Sequence, residues 1–269
     1  MYPLISIGKL VIGTYGICCV LGGGFALLLA LFNCRYSKLN RYDLIEASAL
    51  VILGAVLGAK LLYFIVDFDF IMDIFKKDGF NMDTLMSVMQ GGFVFYGGFM
   101  GGLAAIMIYA KTQKKTPWLY IMTIAPGIPL AHAFGRVGCF MAGCCYGIPS
   151  EEFGIAFTHS LGAPNGIKLF PVQLLEAALL LILSVIMQFY MSKTKRHHCT
   201  VYIYIFLYPI IRIFTERFRY DDSERGIYLG LSTSTWISLC IIAVGIILLV
   251  VDIKKGCPEP VCNVSSDNS

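Results

Sequence analysis

The sequence predicts an all-α protein, a polytopic transmembrane helical bundle of about seven spans with its N-terminus outside and its C-terminus in the cytoplasm. Three observations lead there. Of the 269 residues, 57% are hydrophobic and 14% charged, with a mean hydropathy of +0.74, far from the balance of soluble domains. Apolar runs near the length that crosses a bilayer, about 20 residues, recur along the chain. Lys and Arg gather in short clusters after every second run, the pattern that sets membrane orientation.

Taken in order, the runs cover about 11–33, 43–66, 85–110, 117–134, 172–191, 200–215 and 234–252, the fourth and sixth being short. The first is longer than a signal-peptide core, follows only Lys9 and lacks a small-residue cleavage site, so it reads as a retained span. Arg35, Lys38 and Arg41 follow the first run, and Lys111, Lys114 and Lys115 the third. Lys193, Lys195 and Arg196 follow the fifth, and Lys254 and Lys255 the seventh. With all four clusters inside, the connections at about 67–84, 135–170 and 216–233 fall outside. One transmembrane catalytic domain over 1–255 and a disordered tail over 256–269 complete the organisation. The net charge of +4 is modest and dispersed in these clusters, which argues against nucleic acid as a partner.

Ionisable residues at membrane depth must pair, face a cavity or do chemistry. His132 and Arg136 stand four apart at the outer end of the fourth run, Glu176 lies one turn into the fifth, and Arg212 and Glu216 stand four apart at the end of the sixth. Singly, these fit an i,i+4 ion pair, and Arg217, Arg219 and Arg225 fit snorkelling to the interface. Together, Arg136 and Arg212 bring two permanent charges to one face, where forked hydrogen bonds suit a phospholipid phosphate. Asp221, Asp222 and Glu224 belong to the following loop. Glycines at 91, 92, 97, 98, 101 and 102 around Tyr96, and at 135, 138, 143 and 147 around Arg136, suit close helix packing. With Pro126 and Pro129 they also suit a lipid-accessible cavity between broken helices.

Five of the ten cysteines, Cys18, Cys19, Cys34, Cys199 and Cys240, lie in or beside apolar runs and read as small packed side chains. Cys139, Cys144 and Cys145 differ, falling within seven residues on the side expected to be oxidising. Three readings stand: a disulfide from Cys139 to Cys144 or Cys145, a metal site with His132 as fourth ligand, or a reactive thiol near Arg136. The spacing matches no common zinc pattern. His159, His197 and His198 read as solvated.

The chain resembles the prolipoprotein diacylglyceryl transferases, bacterial seven-span enzymes. The resemblance rests on TyrGly at Tyr15-Gly16, the glycine-rich stretch from Gly91 to Gly102, AlaPro at Ala125-Pro126, and GlyArgValGlyCysPhe from Gly135. It continues through ProValGlnLeuLeuGlu from Pro171, ArgIlePheThrGluArgPheArg from Arg212, and GlyLeuSer before Trp236. It implies transfer of diacylglycerol from phosphatidylglycerol to a lipoprotein cysteine at the outer face of the bacterial cytoplasmic membrane. The implied partners are that phospholipid, a lipoprotein precursor peptide and the bilayer, and no cofactor or metal is implied. By resemblance, Arg136 and Arg212 hold the phosphoglycerol group, Glu216 orients an arginine, Tyr15 lines the catalytic cavity, and Gly98, Gly138, Gln173 and Glu176 are substrate-binding. Two departures stand out. Tyr96 occupies the place of the family's usual His, and GlyAsnPhe-Asn-Glu reads here GlyCysPhe, Ala142 and Cys144. They leave open a diverged enzyme that uses the Cys139–Cys145 segment on another lipid or thiol acceptor, or a non-enzymatic lipid-binding or transport protein.

Overall fold

The computed structural model describes residues 3–7, 10–90, 92, 94–160, 162–194, 197–220 and 227–254. Gly91, Lys9, Lys195, Arg196, Asp221, Asp222, Glu224, Arg225, Lys255 and the tail 256–269 lie outside the described residues. The chain is mostly helical, in two compact units: residues 1–38 with 121–269, and residues 39–120.

The first unit opens with the antiparallel strands β1 (Leu4–Ile7) and β2 (Leu10–Gly13), an element not expected from the sequence. Thr14 then donates both its amide and its hydroxyl to the Pro3 carbonyl, where α1 (Thr14–Ser37) begins. The second unit holds α2 (Arg41–Val66), α3 (Phe68–Asp78), α4 (Met82–Gln90) and α5 (Phe95–Thr112). The expected loop at 67–84 is therefore helical, and the third run starts at Phe95 rather than 85 because its first residues belong to α4. Asp67 caps α2 through its amide to the Tyr63 carbonyl, and Lys60 donates to the Val88 carbonyl at 3.0 Å near the end of α4. Both contacts stabilise the α2–α3–α4 turn.

The α6 segment (Pro117–Ile124) leads into α7 (Gly127–Ala142). Pro126 has no amide to continue a helix, so the chain breaks there and restarts, with Pro129 tolerated in the first turn. Ser184 donates to the Pro126 carbonyl at 2.7 Å, giving the break a polar partner within the protein. The fourth run was expected to end near 134; α7 runs on to Ala142 and carries Arg136 and Cys139 on helix. Short strands β3 (Ile155–Ala156) and β4 (Lys168–Leu169) follow, then α8 (Val172–Lys193) and α9 (Cys199–Glu216). Strands β5 (Ile227–Tyr228) and β6 (Leu231–Ser232) precede α10 (Thr233–Lys254).

Five helices, α1, α2, α8, α9 and α10, are long and apolar enough to cross a membrane. The two remaining expected spans coincide with α5, diluted by glycines, tyrosines and Lys111, and with the interrupted α6–α7 segment. Their large exposed side chains, such as Leu28 on α1, Ile52 and Leu61 on α2, Val185 on α8 and Ile247 on α10, belong to a lipid-facing surface.

Small residues set the helix contacts in each unit. On α2 and α5, a Cβ at Gly54 would meet the Gly101 carbonyl oxygen at 2.6 Å, and one at Gly58 would overlap the Gly97 carbonyl. The paired Gly54-x3-Gly58 and Gly97-x3-Gly101 faces therefore let backbones touch, which accounts for several of the glycines around Tyr96 as packing residues. On α1 and α7, a Cβ at Gly22 would meet the Ala131 carbonyl oxygen at 3.0 Å, and one at Gly127 the Ala26 carbonyl oxygen at 2.9 Å. Replacing Gly101 by leucine should therefore wedge α2 from α5 and cost about 1–3 kcal/mol. Thermal unfolding of the purified protein in detergent checks this: a clear fall in Tm is expected, and an unchanged Tm contradicts the close-contact account.

Candidate anion site and thiol cluster

In the first unit three helices each deliver one charged side chain to a common point. Glu176 sits in the first turns of α8, with no exposed side-chain surface, because its neighbours Val172, Gln173, Ala177 and Leu180 are all buried on the same face. Its Oε1 lies 3.0 Å from Nη2 of Arg136 on α7, and its Oε2 lies 3.7 Å from Nη1 of Arg212 on α9. Nη2 of Arg212 also contacts Oε2 of Glu216 at 2.8 Å, one turn further along α9. Arg136 and Arg212 keep 14% and 8% of their side-chain surface exposed.

Ser234, in the first turn of α10, closes this network. Its Oγ accepts from Arg212 Nη2 at 2.9 Å and donates to Glu216 Oε1 at 3.0 Å. The sequence reading passed over Ser234, whose only signal was its place two residues beyond the GlyLeuSer segment. Pro209 lies inside α9 three residues before Arg212; without an amide it weakens the helix there.

Beyond the atoms held in ion pairs, two polar atoms at this site remain unspent. Arg136 Nε and Gln173 Oε1 are buried with no hydrogen-bond partner among the described residues. Such atoms carry a desolvation cost that a bound polar ligand can remove. The site thus offers a donor and an acceptor beside a shared carboxylate and two guanidinium groups.

The other expected residues divide between the units. Tyr15 is half-exposed in the first turn of α1, and a Cβ on Gly138 would meet its ring and the Cys18 side chain at 3.1 Å. Gly138 is thus where α1 lies against α7. Its neighbourhood gives it a packing role. Tyr96 and Gly98 belong to the second unit, Tyr96 exposed on α5 and Gly98 against the Ala55 carbonyl of α2. His132 stays on α7, its ring 5.4 Å from that of Tyr208.

Beyond Arg136, α7 ends in a turn built by two left-handed residues. Gly143 takes φ 74° and its amide bonds back to Phe140, while Cys145 takes φ 57°, unusual for a residue with a side chain. The turn folds Cys144 and Cys145 back over Cys139, and the three sulfurs lie within 4.8 Å of one another, none of them in a disulfide. His132 is not in that donor set. Gln173 donates from Nε2 to the Cys144 carbonyl at 2.7 Å, and Cys144 Sγ to the Cys139 carbonyl at 3.6 Å. Gly147 pairs with Arg219 in an antiparallel bridge, so the turn is stitched to the end of α9. Arg219 is 3% exposed, buried beside the turn rather than snorkelling outward. Hydrogen bonds with Cys139 and Cys144, then the charges of Arg219 and Arg136, pull the Cys145 thiol below its usual range.

Known proteins share this architecture's sequence. The model of the prolipoprotein diacylglyceryl transferase family matches residues 3–251. A phosphatidylglycerol–prolipoprotein diacylglyceryl transferase of Clostridium tetani is 33% identical over 239 residues, covering 88% of this chain and 92% of the relative. A second, from Clostridium perfringens, is 33% identical over 247 residues, 91% and 93% of the two chains. One from Clostridium botulinum strain Langeland is 30% identical over 250 residues, 91% and 92%. With nearly its whole length matched, this multi-pass membrane protein belongs to the prolipoprotein diacylglyceryl transferase family.

Proposed function

We propose that the chain transfers a diacylglyceryl group from phosphatidylglycerol to the signal-cysteine thiol of a lipoprotein precursor. It acts as one catalytic membrane domain with seven spans, N-terminus outside, in the bacterial cytoplasmic membrane. The relatives, phosphatidylglycerol–prolipoprotein diacylglyceryl transferases by name, support the reaction, and the alternating basic clusters support the orientation.

The observation that carries the reading is the Arg136–Glu176–Arg212 bridge. Alone in an apolar bundle, two guanidinium groups would repel. Glu176 holds them in fixed register, and Arg136 Nε remains unspent for a phosphate oxygen. An open groove of about 460 Å³, lined by Phe25, Leu28, Leu29, Phe32, Leu130 and Phe134, lies on α1 and α7, the helices that carry Tyr15 and Arg136. Its lining suits an acyl chain.

In the reaction the acceptor thiolate attacks the glycerol carbon that bears the phosphate ester. An S–C bond forms, the C–O bond breaks, its electron pair goes to the phosphate oxygen, and glycerol phosphate leaves. Negative charge accumulates on the phosphate as the C–O bond lengthens, so fixed positive groups there lower the barrier. Tyr96 puts a phenol, a weaker general base than imidazole, where the family's usual histidine would stand.

Complementation of a bacterium depleted of its own transferase, with lipoprotein maturation followed by gel shift, tests the activity. The unaltered chain should restore the mature band; a well-expressed protein that restores none contradicts the reading. In the same assay Arg136→Ala should lower transfer at least about 100-fold, the order expected for losing one transition-state donor. Full activity in that variant removes the phosphate clamp.

A separate expectation concerns stability. Glu176→Ala leaves two guanidinium groups buried around a vanished carboxylate and should cost about 3–5 kcal/mol, whereas Glu176→Gln keeps the side-chain volume and a carbonyl oxygen facing the guanidinium groups and should cost less. Detergent unfolding of the two variants side by side measures it, and equal stability in all three proteins would deny Glu176 its bridging role.

A further inference from the structure

We propose that Cys139, Cys144 and Cys145 form a binding site for one soft, thiophilic metal cation. The three sulfurs converge within 4.8 Å, and they make the one such cluster of His, Cys, Asp or Glu among the described residues. None of the three is in a disulfide. A disulfide would use two of them and leave the third without a purpose, whereas thiolate coordination uses all three.

The scaffold around the sulfurs is specific. Cys139 comes from the last turn of α7, and the left-handed Gly143 and Cys145 reverse the chain so that two consecutive side chains face it. Gln173 fixes the Cys144 carbonyl, and Ala163 donates to the Gly143 carbonyl at 2.8 Å, so the turn is held from both sides. Metal–sulfur bonds of about 2.3 Å set sulfurs roughly 4 Å apart, a contraction of no more than about 1 Å from what is seen.

Binding is a ligand exchange without redox change. Three thiols give up three protons to solvent, three metal–sulfur bonds form, and a tetrahedral ion keeps its fourth position open. The inference is independent of the phospholipid reading, since it concerns the turn after α7 and is read by metal binding rather than transfer.

The test uses full-length protein in detergent, reduced and then held anaerobically without reductant, and titrated with Cd2+ alone. Thiolate-to-cadmium charge-transfer absorption should saturate at one ion per chain, and added Zn2+ should compete for the site. Peptide mass mapping should show Cys139, Cys144 and Cys145 protected from alkylation, while the exposed Cys19 and Cys240 stay reactive. Cys144→Ser and Cys145→Ser should each weaken binding by at least about 100-fold, more than the loss of a mere supporting residue, and Cys240→Ser should leave it unchanged.

Three results overturn the proposal: no charge-transfer band, a band with equal affinity in the serine variants, or protection that falls on other cysteines. A Cys139–Cys144 or Cys139–Cys145 disulfide already formed in freshly isolated protein overturns it as well. Should a serine variant unfold, the protection map on the unaltered protein decides the matter by itself.

Discussion

A carboxylate cut off from solvent, Glu176, shared between guanidinium groups of two other helices, is the contact on which the first unit turns. Burying any one of these charges in an apolar bundle is costly, and the cost is offset only while all keep their partners. Glu216 and Ser234 extend the compensation to α9 and α10, so four helices are constrained by one polar network. Such a network adds little net stability over apolar packing. What it adds is a single allowed arrangement of two cations, the requirement for recognising a phosphate.

The surrounding packing explains how the helices reach those distances. Gly22, Ala26, Gly127 and Ala131 draw α1 onto α7, and Gly138 lets the first turn of α1 close over the segment between Arg136 and Cys139. The helix is interrupted at Pro126, and Ser184 from α8 satisfies a carbonyl at the break. Backbone irregularity, small residues and buried charge are thus one design: the first allows the second to bring the third together.

Much of this was legible in the sequence, and the residues show why. Run lengths and charge clusters find α1, α2, α8, α9 and α10 to within a few residues, since lipid solvation acts on composition averaged over a helix. Arg136, Arg212 and Glu216 were singled out because a charge in an apolar segment is conspicuous. What escaped was set by tertiary contact. Helices α3 and α4 looked like a loop because their charged and apolar residues alternate at amphipathic spacing. Glu176 read as one substrate-binding residue among several rather than as the hub, because nothing local says that two arginines from elsewhere converge on it. Arg219 read as exposed until its backbone pairing with Gly147 carried it inward. The nearness of three sulfurs depends on a left-handed Cys145 that no propensity would assign.

The charge count at the bridge bears on how the proposed reaction would be driven. Arg136, Arg212, Glu176 and Glu216 sum to zero when all are ionised, so the site has no surplus charge with which to hold a phosphodiester tightly. A site that bound the diester too well would stabilise the ground state as much as the transition state and gain nothing in rate. As the C–O bond to glycerol breaks, however, the phosphate moves from one negative charge toward two. In the proposed reaction the unspent Arg136 Nε, held beside Glu176, would interact more strongly with the departing group than with the starting lipid. Neutral overall and polarised locally, the cluster favours the charge that develops over the charge that arrives. That difference, rather than affinity for the lipid, is what lowers a barrier.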